Sequence, residues 1–202
     1  MKILIASRNA HKIEEIKDIF ALPNVEWLSA ADFPELPDVV EDGATFEANA
    51  VKKATQLARA TGLWALGDDS GLEVVALHGA PGVFSARYAG EPCNYANNNA
   101  KLLRELAGQP NRAARFRCVA ALSDPTGRAE TVAGSCPGRI IDALRGTQGF
   151  GYDPLFVPDG YDRAFAEMDG AQKNRLSHRG RALALAKEKW GALLAANAVR
   201  WP

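Results

Sequence analysis

The start of the chain constrains the fold most, because it has the pattern of one half of an α/β unit. Residues 2–6 (KILIA) are apolar with β-branched content, which predicts a buried strand. Residues 7–10 (SRNA) form a polar loop. Residues 11–22 then carry an apolar stripe at helical spacing, made of Ile13, Ile16, Ile19 and Phe20. A strand, a loop and a helix in this order predict an α/β protein.

Three further helices are predicted from their end signals and apolar stripes. Thr45 is suited to cap a helix that runs to about residue 60, and Gly62 is suited to end it. Residues 95–106 have a second helical pattern, which Gly108-Gln109-Pro110 stops. Ser177 is suited to cap a last helix through about residue 196.

The strand-like segments do not all belong to α/β units. Residues 63–66 and 73–77 are short apolar runs on either side of a polar segment. Residues 115–123 and 129–135 are also strand-like, and Asp124-Pro125-Thr126-Gly127 between them is a strong turn signal. This pair predicts an antiparallel hairpin, so the sheet should mix parallel and antiparallel strands.

The 202 residues suffice for one large domain, and we predict a single domain over 1–202. The two kinds of strand pairing predict two lobes around a cleft, with the second lobe at approximately 80–140. Lys plus Arg and Asp plus Glu both number 24, so the net charge is zero. A zero net charge argues against a protein that coats nucleic acid or a membrane surface.

Cysteine usage and the first residues predict a cytoplasmic protein. The three cysteines, Cys93, Cys118 and Cys136, have no disulfide or metal-binding spacing, so a reducing compartment is expected. The opening MKILIASRNAHK has an apolar run too short for a signal peptide. No run approaches the roughly 20 apolar residues of a membrane span.

Two adjacent carboxylates, Asp68 and Asp69, follow the run at 63–66 in the stretch GDDSGL. Glu41 is a third acid, placed just before a predicted helix. Three oxygen donors without Cys or His ligands suit a hard ion such as Mg²⁺, which takes one or two carboxylates and completes its shell with water and phosphate. Taken alone, GDDSGL is more commonly a turn, because Asp-Ser-Gly is ordinary turn chemistry.

Residues 7–12 (SRNAHK) connect the first strand to the first helix. Backbone N–H groups at a helix start bind anions, and Arg8 and Lys12 add positive charge, so the loop could hold a triphosphate. The Walker A pattern is absent from the sequence. Taken alone, the loop is more commonly a solvated basic connection.

Two later segments complete the pattern. Residues 173–179 (KNRLSHR) place cations at the start of the last helix, where they oppose its dipole unless an anion or polar ligand is near. Residues 149–154 (GFGYDP) combine two glycines with aromatic rings that could face a flat base. A solvated basic end and a strand bend are the simpler explanations. Together, the four segments describe a nucleoside triphosphate site.

The sequence resembles the inosine/xanthosine triphosphate pyrophosphatase family. The matching stretches follow the family's order and cover nearly the whole chain: SRNAHK at 7–12, EDGATFEANAVKKA at 41–54, DDSGLEV at 68–74, GAPGVFSARYAG at 79–90, GFGYDP at 149–154 and KNRLSHRGRAL at 173–183. The resemblance implies an elongated α/β fold with a long mixed sheet, a homodimer and a requirement for Mg²⁺. It also implies conversion of non-standard purine triphosphates (ITP, dITP, XTP) to monophosphate and pyrophosphate.

The resemblance also implies residue roles. Asp69 would be the catalytic acid–base residue and a metal ligand, and Asp68 and Glu41 would help to hold Mg²⁺. The triphosphate would be held by Lys53 and by the loop residues Ser7, Arg8, Asn9, Ala10, His11 and Lys12. Ser70 would contact the substrate. The base would be framed by Phe150, Gly151, Tyr152 and Asp153, with Lys173, His178 and Arg179 completing the pocket.

Two positions depart from the family pattern. Arg8 stands where the family commonly has glycine, so a conformation that only glycine tolerates would be strained. Ala48 stands where the family usually has Glu, with Glu47 one residue earlier, which puts a secondary acidic contact in doubt.

In the expected reaction, water attacks the α-phosphorus with Asp69 as base. Donors near Tyr152, or His178 and Arg179, would favour a 6-oxo base over a 6-amino base. The alternatives are a pyrophosphatase for other modified nucleotides and a nucleotide sensor without turnover. A nucleic-acid-binding role is the weakest alternative, because the net charge is zero.

Overall fold

The computed structural model describes residues 1–196 and Trp201. Six strands form one sheet in the order β2-β1-β3-β4-β5-β6. The strands are β1 (Lys2–Ile5), β2 (Glu26–Ser29), β3 (Trp64–Val74), β4 (Ala113–Ser123), β5 (Ala129–Ile140) and β6 (Phe156–Pro158). The helices are α1 (Ala10–Ile19), α2 (Phe46–Thr61), α3 (Tyr95–Glu105), α4 (Gly170–Leu176) and α5 (His178–Ala195).

The sheet is mixed, which confirms the predicted α/β class. β1 pairs in parallel with both β2 and β3, whereas β5 pairs antiparallel with β6. Residues 124–128, between β4 and β5, are too few for a parallel crossover, so the predicted hairpin is also present. Within its turn, Asp124 Oδ1 accepts hydrogen bonds from the backbone N–H groups of Thr126 and Arg128.

GDDSGL does not form a turn and does not follow a short strand. It lies inside β3, which runs for 11 residues from Trp64 to Val74. The interpretation from local composition was wrong because buried neighbours compensate the two carboxylates, so the strand continues through them. The strand predicted at 73–77 is also displaced, since β3 ends at Val74 and a 3₁₀ turn covers Val75–Leu77.

The chain divides into two compact units. The first contains Met1–Asp69, Cys118–Gly134 and the chain from Arg179 onward, and the second contains Ser70–Arg117 and Ser135–His178. The second unit therefore overlaps the segment 80–140 only in part, because residues 118–134 belong to the first unit and residues 141–178 to the second.

Each unit has its own apolar core. In the first unit, side chains of β1, α1, β3 and α5 pack together, including Ile3, Ile5, Phe20, Leu66 and Trp190. In the second unit the core includes Leu72, Leu102, Phe116, Phe156 and Phe165. Among the described residues, no helix has the length and apolar character needed to span a membrane.

Local signals explain how α2 is placed against β3 in the first unit. Thr45 Oγ1 accepts a hydrogen bond from the Ala48 N–H group and caps the helix, and Gly62 ends it in a left-handed conformation. A Cβ atom at Gly67 would overlap the carbonyl oxygen of Ala50. Glycine at this position therefore lets the helix backbone lie directly on the strand.

Candidate active site

The residues predicted to act on the substrate fall into two groups, one in each unit. The first unit contains Glu41, Lys53, Asp68, Asp69, Lys12 and Arg179, together with the loop at 7–11. The second unit contains Ser70, Phe150, Gly151, Tyr152, Asp153, Lys173 and His178. Each group is described by itself.

In the first unit, Lys53 joins two carboxylates. Its buried ammonium group donates hydrogen bonds to Glu41 Oε1 at 2.9 Å and to Asp69 Oδ1 at 3.0 Å. The other oxygen of Asp69 accepts a hydrogen bond from Asn49 Nδ2 at 3.1 Å. Asn49 Oδ1 accepts in turn from the Gly43 N–H group at 2.8 Å. Helix α2 therefore supplies both donors that orient Asp69.

The environment of Asp69 makes it a better proton acceptor than an ordinary aspartate. Burial raises the pKa of the Asp69 carboxyl, the nearby Glu41 charge raises it further, and the positive charges of Lys53 and Lys12 only partly offset this. The net pKa shift is upward. A base whose pKa is closer to neutral is suited to accept a proton from water during a reaction.

The neighbouring Asp68 is neutralised by different partners. Arg179 donates through Nε to Asp68 Oδ2 at 3.1 Å and through Nη2 to Oδ1 at 3.3 Å. Lys12 Nζ lies 2.7 Å from Oδ1, and Cys118 Sγ donates to Oδ2 at 3.0 Å. Each oxygen of Asp68 therefore meets two protein donors, which is its ordinary acceptor capacity. Arg179 is also held by Glu15, through Nη1.

These contacts lower the pKa of Asp68 and raise the pKa values of Lys12 and Cys118. Burial alone would raise the pKa of Asp68, but the charges of Arg179 and Lys12, with hydrogen bonds from Arg179 and Cys118, hold it well below the usual range. Burial would lower the pKa of Lys12, but Asp68 reverses this effect and the pKa is raised. Burial, reinforced by the Asp68 charge, raises the pKa of the Cys118 thiol. At neutral pH the group is an ion network with a protonated thiol.

The loop at 7–12 begins α1. Asn9 Oδ1 caps the helix by accepting from the N–H groups of His11 and Lys12, at 3.1 and 3.3 Å. Ser7 Oγ accepts from the Asn9 N–H group at 3.1 Å. Ala10 is the first residue of the helix, and it is exposed, as is His11. The loop is thus a capped helix start whose side chains organise their own backbone.

Arg8 is occupied within the first unit. Its guanidinium donates to Asp38 Oδ1 at 2.8 Å, to the Ala30 carbonyl at 2.8 Å and to the Leu36 carbonyl at 2.5 Å. Among the described residues other than glycine, only Asn24 and His78 have a positive φ, so Arg8 does not. The backbone strain considered for Arg8 is therefore absent. Arg8 ties the loop to residues 30–38.

Glu47, the acid displaced from its usual family position, does not join the cluster of acids. Its carboxylate accepts a hydrogen bond from the Thr131 hydroxyl at 3.1 Å. The acids that Lys53 joins are therefore Glu41 and Asp69.

The donor set fits a magnesium ion that shares its ligands with a substrate. Glu41 and Asp69 are oxygen donors brought to one point by Lys53. Within the described part of the chain, no three His, Cys, Asp or Glu side chains form a ligand set by themselves. Mg²⁺ needs only one or two carboxylates when phosphate oxygens and water supply the rest.

In the second unit, Asp153 organises the glycine-rich loop. Its Oδ2 accepts from the Phe150 N–H group at 2.9 Å and from Lys173 Nζ at 2.6 Å. Gly149 has φ of 71°, and a Cβ atom there would overlap the Asp153 carboxylate. The Lys173 ammonium also lies 4.9 Å from the centre of the Phe150 ring. Lys173, Asp153 and Phe150 thus contact one another in one cluster.

Other side chains hold the same loop in place. The Tyr152 hydroxyl donates to the Ser85 carbonyl at 2.8 Å, and Asn99 Nδ2 donates to the Gly151 carbonyl at 3.0 Å. The ring of Tyr95, on α3, lies 6.1 Å from that of Phe150. These contacts fix the loop at both its backbone and its rings.

Two further predicted residues also lie in the second unit. The His178 ring stacks on Phe116, with the ring centres 4.6 Å apart and the planes 10° from parallel. Ser70 lies in β3 directly after Asp69.

Sequence reasoning missed four residues that organise the two groups: Asn49, Glu15, Cys118 and Asn99. A signal existed for Asn49, because it lies four residues before Lys53 and hence on the same face of α2. Cys118 and Glu15 gave no local signal, since their partners Asp68 and Arg179 are distant in the sequence.

Comparison with known proteins agrees with the resemblance seen in the motifs. Residues 3–189 match the profile of the Ham1 family. The "dITP/XTP pyrophosphatase" of Desulforamulus reducens is 51% identical over 190 residues, covering 93% of this chain and 94% of that protein. The protein of the same name from Geobacter sulfurreducens is 51% identical over 192 residues, covering 94% and 96%.

Solved structures support the same relationship. The Staphylococcus aureus Ham1 protein superposes with a TM-score of 0.86 at 39% identity, covering 96% of this chain and all of that one. The "Nucleoside-triphosphatase / dITP/XTP pyrophosphatase" of Mycobacterium abscessus has a TM-score of 0.76 at 45% identity, covering 92% and 98%. With a matching profile over nearly its whole length and relatives of this similarity, the chain belongs to the Ham1 family.

Proposed function

We propose that this protein is a nucleoside triphosphate pyrophosphohydrolase. It converts non-standard purine nucleotides such as dITP, XTP and ITP to the monophosphate and pyrophosphate, and so removes them from the nucleotide pool. The observation that carries the proposal is the oriented Asp69, a buried carboxylate with a raised pKa held by Lys53 and Asn49. The substrate class is supported by the name dITP/XTP pyrophosphatase of two relatives that are each 51% identical to this chain.

The reaction needs one base and a stabilised leaving group. Asp69 takes a proton from a water molecule as the water oxygen forms a bond to the α-phosphorus. The bond from the α-phosphorus to the bridging oxygen breaks, and pyrophosphate leaves with its electron pair. Lys12 and Lys53 are the nearby cations that balance the charge on the leaving group.

We assign Mg²⁺ as the cofactor, with Glu41 and Asp69 as its protein ligands. When bound, the ion neutralises charge on the phosphate oxygens.

Asp68 has a different role in this proposal from the metal contact expected from the sequence. Four protein donors surround its oxygens, so Asp68 holds Lys12 and Arg179 in position. Ser7, Asn9 and Ala10 present the start of α1 to the triphosphate, and Arg8 braces that loop.

Recognition of the base rests on the second unit. Phe150 offers a flat face, whereas the Tyr152 ring is buried in the core of the second unit and supports the loop from below. The contacts of Asp153, Lys173 and Asn99 hold the loop rigid. A buried donor can form a hydrogen bond to the 6-oxo group of the base. A 6-amino group cannot accept that bond, so the donor loses its partner at a cost of about 1–3 kcal/mol in binding free energy. His178 and the backbone N–H groups near Tyr152 are the donors that we assign to this discrimination.

The test is a panel of triphosphates with pyrophosphate as the measured product. We expect release from dITP, ITP and XTP to exceed release from ATP by about 10-fold or more for each discriminating donor. Chelation of divalent ions should abolish the signal, and added Mg²⁺ should restore it. Equal rates on all purine triphosphates would refute the specificity, and nucleotide binding without product would indicate a sensor.

We also propose a cytoplasmic homodimer. The substrates belong to the cytoplasmic nucleotide pool, and Cys93, Cys118 and Cys136 are all unbridged, as a reducing compartment requires. The family resemblance favours two copies of the chain. Neither nucleic acid nor a membrane is expected as a partner, because the net charge is zero.

A further inference from the structure

Lys53 occupies the point at which the two proposed metal ligands meet. Its ammonium lies 2.9 Å from Glu41 Oε1 and 3.0 Å from Asp69 Oδ1. The side chain is buried, and it extends from α2 beside Asn49, which holds the other oxygen of Asp69. The ammonium is thus a fixed cation between two carboxylates.

An ammonium and a divalent ion cannot share this position. An ion bound by the same two oxygen atoms would lie about 2.0–2.1 Å from each, within a few ångströms of the ammonium. Two cations at that separation repel strongly in a buried site, where water screens them poorly. The carboxylates can therefore bind either Lys53 or the metal ion at these oxygens.

We infer that Lys53 acts as a tethered cation that keeps the metal from binding until the triphosphate arrives. In the free protein, Lys53 neutralises one of the two negative charges and holds Glu41 and Asp69 together. The triphosphate offers Lys53 a more highly charged partner, and the ammonium moves to it while Mg²⁺ takes its place. The same side chain thereby sets the order of binding and stabilises the phosphates.

The proposed order of binding determines when a metal ion occupies Glu41 and Asp69. The free protein binds divalent ions weakly, although it contains two converging carboxylates. The metal enters together with a polyphosphate, so Glu41 and Asp69 are not occupied by free ions between turnovers. The inference rests on the proposed function for Glu41 and Asp69 as metal ligands and for the identity of the anion that draws Lys53 away.

The first experiment measures metal binding without nucleotide. Mn²⁺ is titrated into the native protein and into Lys53→Met and Lys53→Gln, and free Mn²⁺ is followed by electron paramagnetic resonance. We expect both variants to bind Mn²⁺ at least about tenfold more tightly than the native protein, because the competing cation is gone. Lys52→Met is the matched control, since Lys52 pairs with the exposed Asp42, and it should bind as the native protein does.

Equal Mn²⁺ affinity in the native protein and in either folded Lys53 variant would overturn the inference. Circular dichroism establishes that each variant is folded. Lys53→Gln keeps a hydrogen-bond donor near the carboxylates, so it tests the charge separately from the contact.

A second experiment uses the native protein, so it does not depend on variants. The side-chain nitrogen of Lys53 is followed by nuclear magnetic resonance while Mg²⁺ is added alone and then with the α,β-methylene analogue of dITP, which is not hydrolysed. We expect no change in the Lys53 signal with Mg²⁺ alone and a change once the analogue is added. A change with Mg²⁺ alone would contradict the inference.

The outcome can be separated from that of the proposed function. Pyrophosphate release from dITP by the native protein decides the function, whereas Mn²⁺ affinity in the Lys53 variants decides the role of Lys53. Native protein that releases no pyrophosphate would refute the function and leave the competition measurable.

Discussion

At the scale of single residues, two adjacent aspartates have opposite electrostatic environments. Side chains of successive residues in a strand point to opposite faces, so Asp68 and Asp69 meet different partners although they are neighbours in β3. Arg179 and Lys12 hold the pKa of Asp68 down despite its burial, whereas burial and Glu41 raise that of Asp69. One carboxylate is thereby an anion that holds cations in place, and the other has the raised pKa that suits the proposed base.

Replacing Asp69 by asparagine removes the proposed base with little change of shape. We expect kcat for pyrophosphate release from dITP to fall by about 10²–10⁴-fold, the usual contribution of a positioned general base. Asn49 can still contact the new amide, so the variant should remain folded. Steady-state kinetics with circular dichroism measure both quantities, and full activity in the folded variant would exclude Asp69 as the base.

Replacing Asp68 by asparagine leaves Arg179 and Lys12 with one fewer counter-charge in a buried site. We expect a loss of about 3–5 kcal/mol in the free energy of unfolding at neutral pH. The exposed Asp38→Asn is the control and should cost less than about 1 kcal/mol, because surface ion pairs contribute little.

The native protein and the Asp68→Asn variant also test the lowered pKa of Asp68. A lowered pKa in the folded state stabilises the native protein above the unfolded value of about 3.9, and this contribution is lost as the pH falls toward the folded value. The stability difference between the native protein and Asp68→Asn should therefore narrow on acidification. Denaturant unfolding from about pH 7 to pH 3 measures it, and a constant difference would show that the Asp68 pKa is not lowered.

At the scale of elements, the contact between β3 and α2 positions the proposed base. Gly67 allows the backbone of α2 to lie against the strand, and the helix then presents Asn49 and Lys53 to Asp69. The sequence predicted the helix and its Thr45 cap correctly, because both depend on nearby residues. It did not predict the full length of β3, because the strand continues through carboxylates whose partners are remote in the chain.

Replacing Gly67 by alanine tests this contact. The new methyl group would overlap the Ala50 carbonyl, so we expect a loss of about 1–3 kcal/mol in stability and a fall in kcat as α2 moves. Gly170→Ala is the control, since a Cβ atom there meets nothing within 4 Å. Thermal unfolding and dITP kinetics follow both variants, and an unchanged Gly67→Ala protein would show that α2 has room to shift.

At the scale of the whole molecule, the charges balance overall, whereas the charged side chains proposed to act on the substrate are gathered in local groups. The net charge is zero, yet Lys12, Lys53 and Arg179 are concentrated around four acids of the first unit: Glu15, Glu41, Asp68 and Asp69. Each unit has its own apolar core.

The proposed dimer is tested by mass. Light scattering after size-exclusion chromatography should give twice the 21.7 kDa of one chain at micromolar concentration. The mass of a single chain under those conditions would refute the dimer.

The sequence by itself determined the family and the α/β class, and it predicted many residues of the two groups, because motifs and periodicity are properties of neighbouring residues. Only the tertiary structure decided what each charged residue contacts. Arg179 reaches Asp68 across 111 positions and Cys118 reaches it across 50, so no local pattern could predict that Asp68 is surrounded by protein donors. Lys53 lies between Glu41 and Asp69 for the same reason: burial brings together charges from separate elements and requires that they compensate one another.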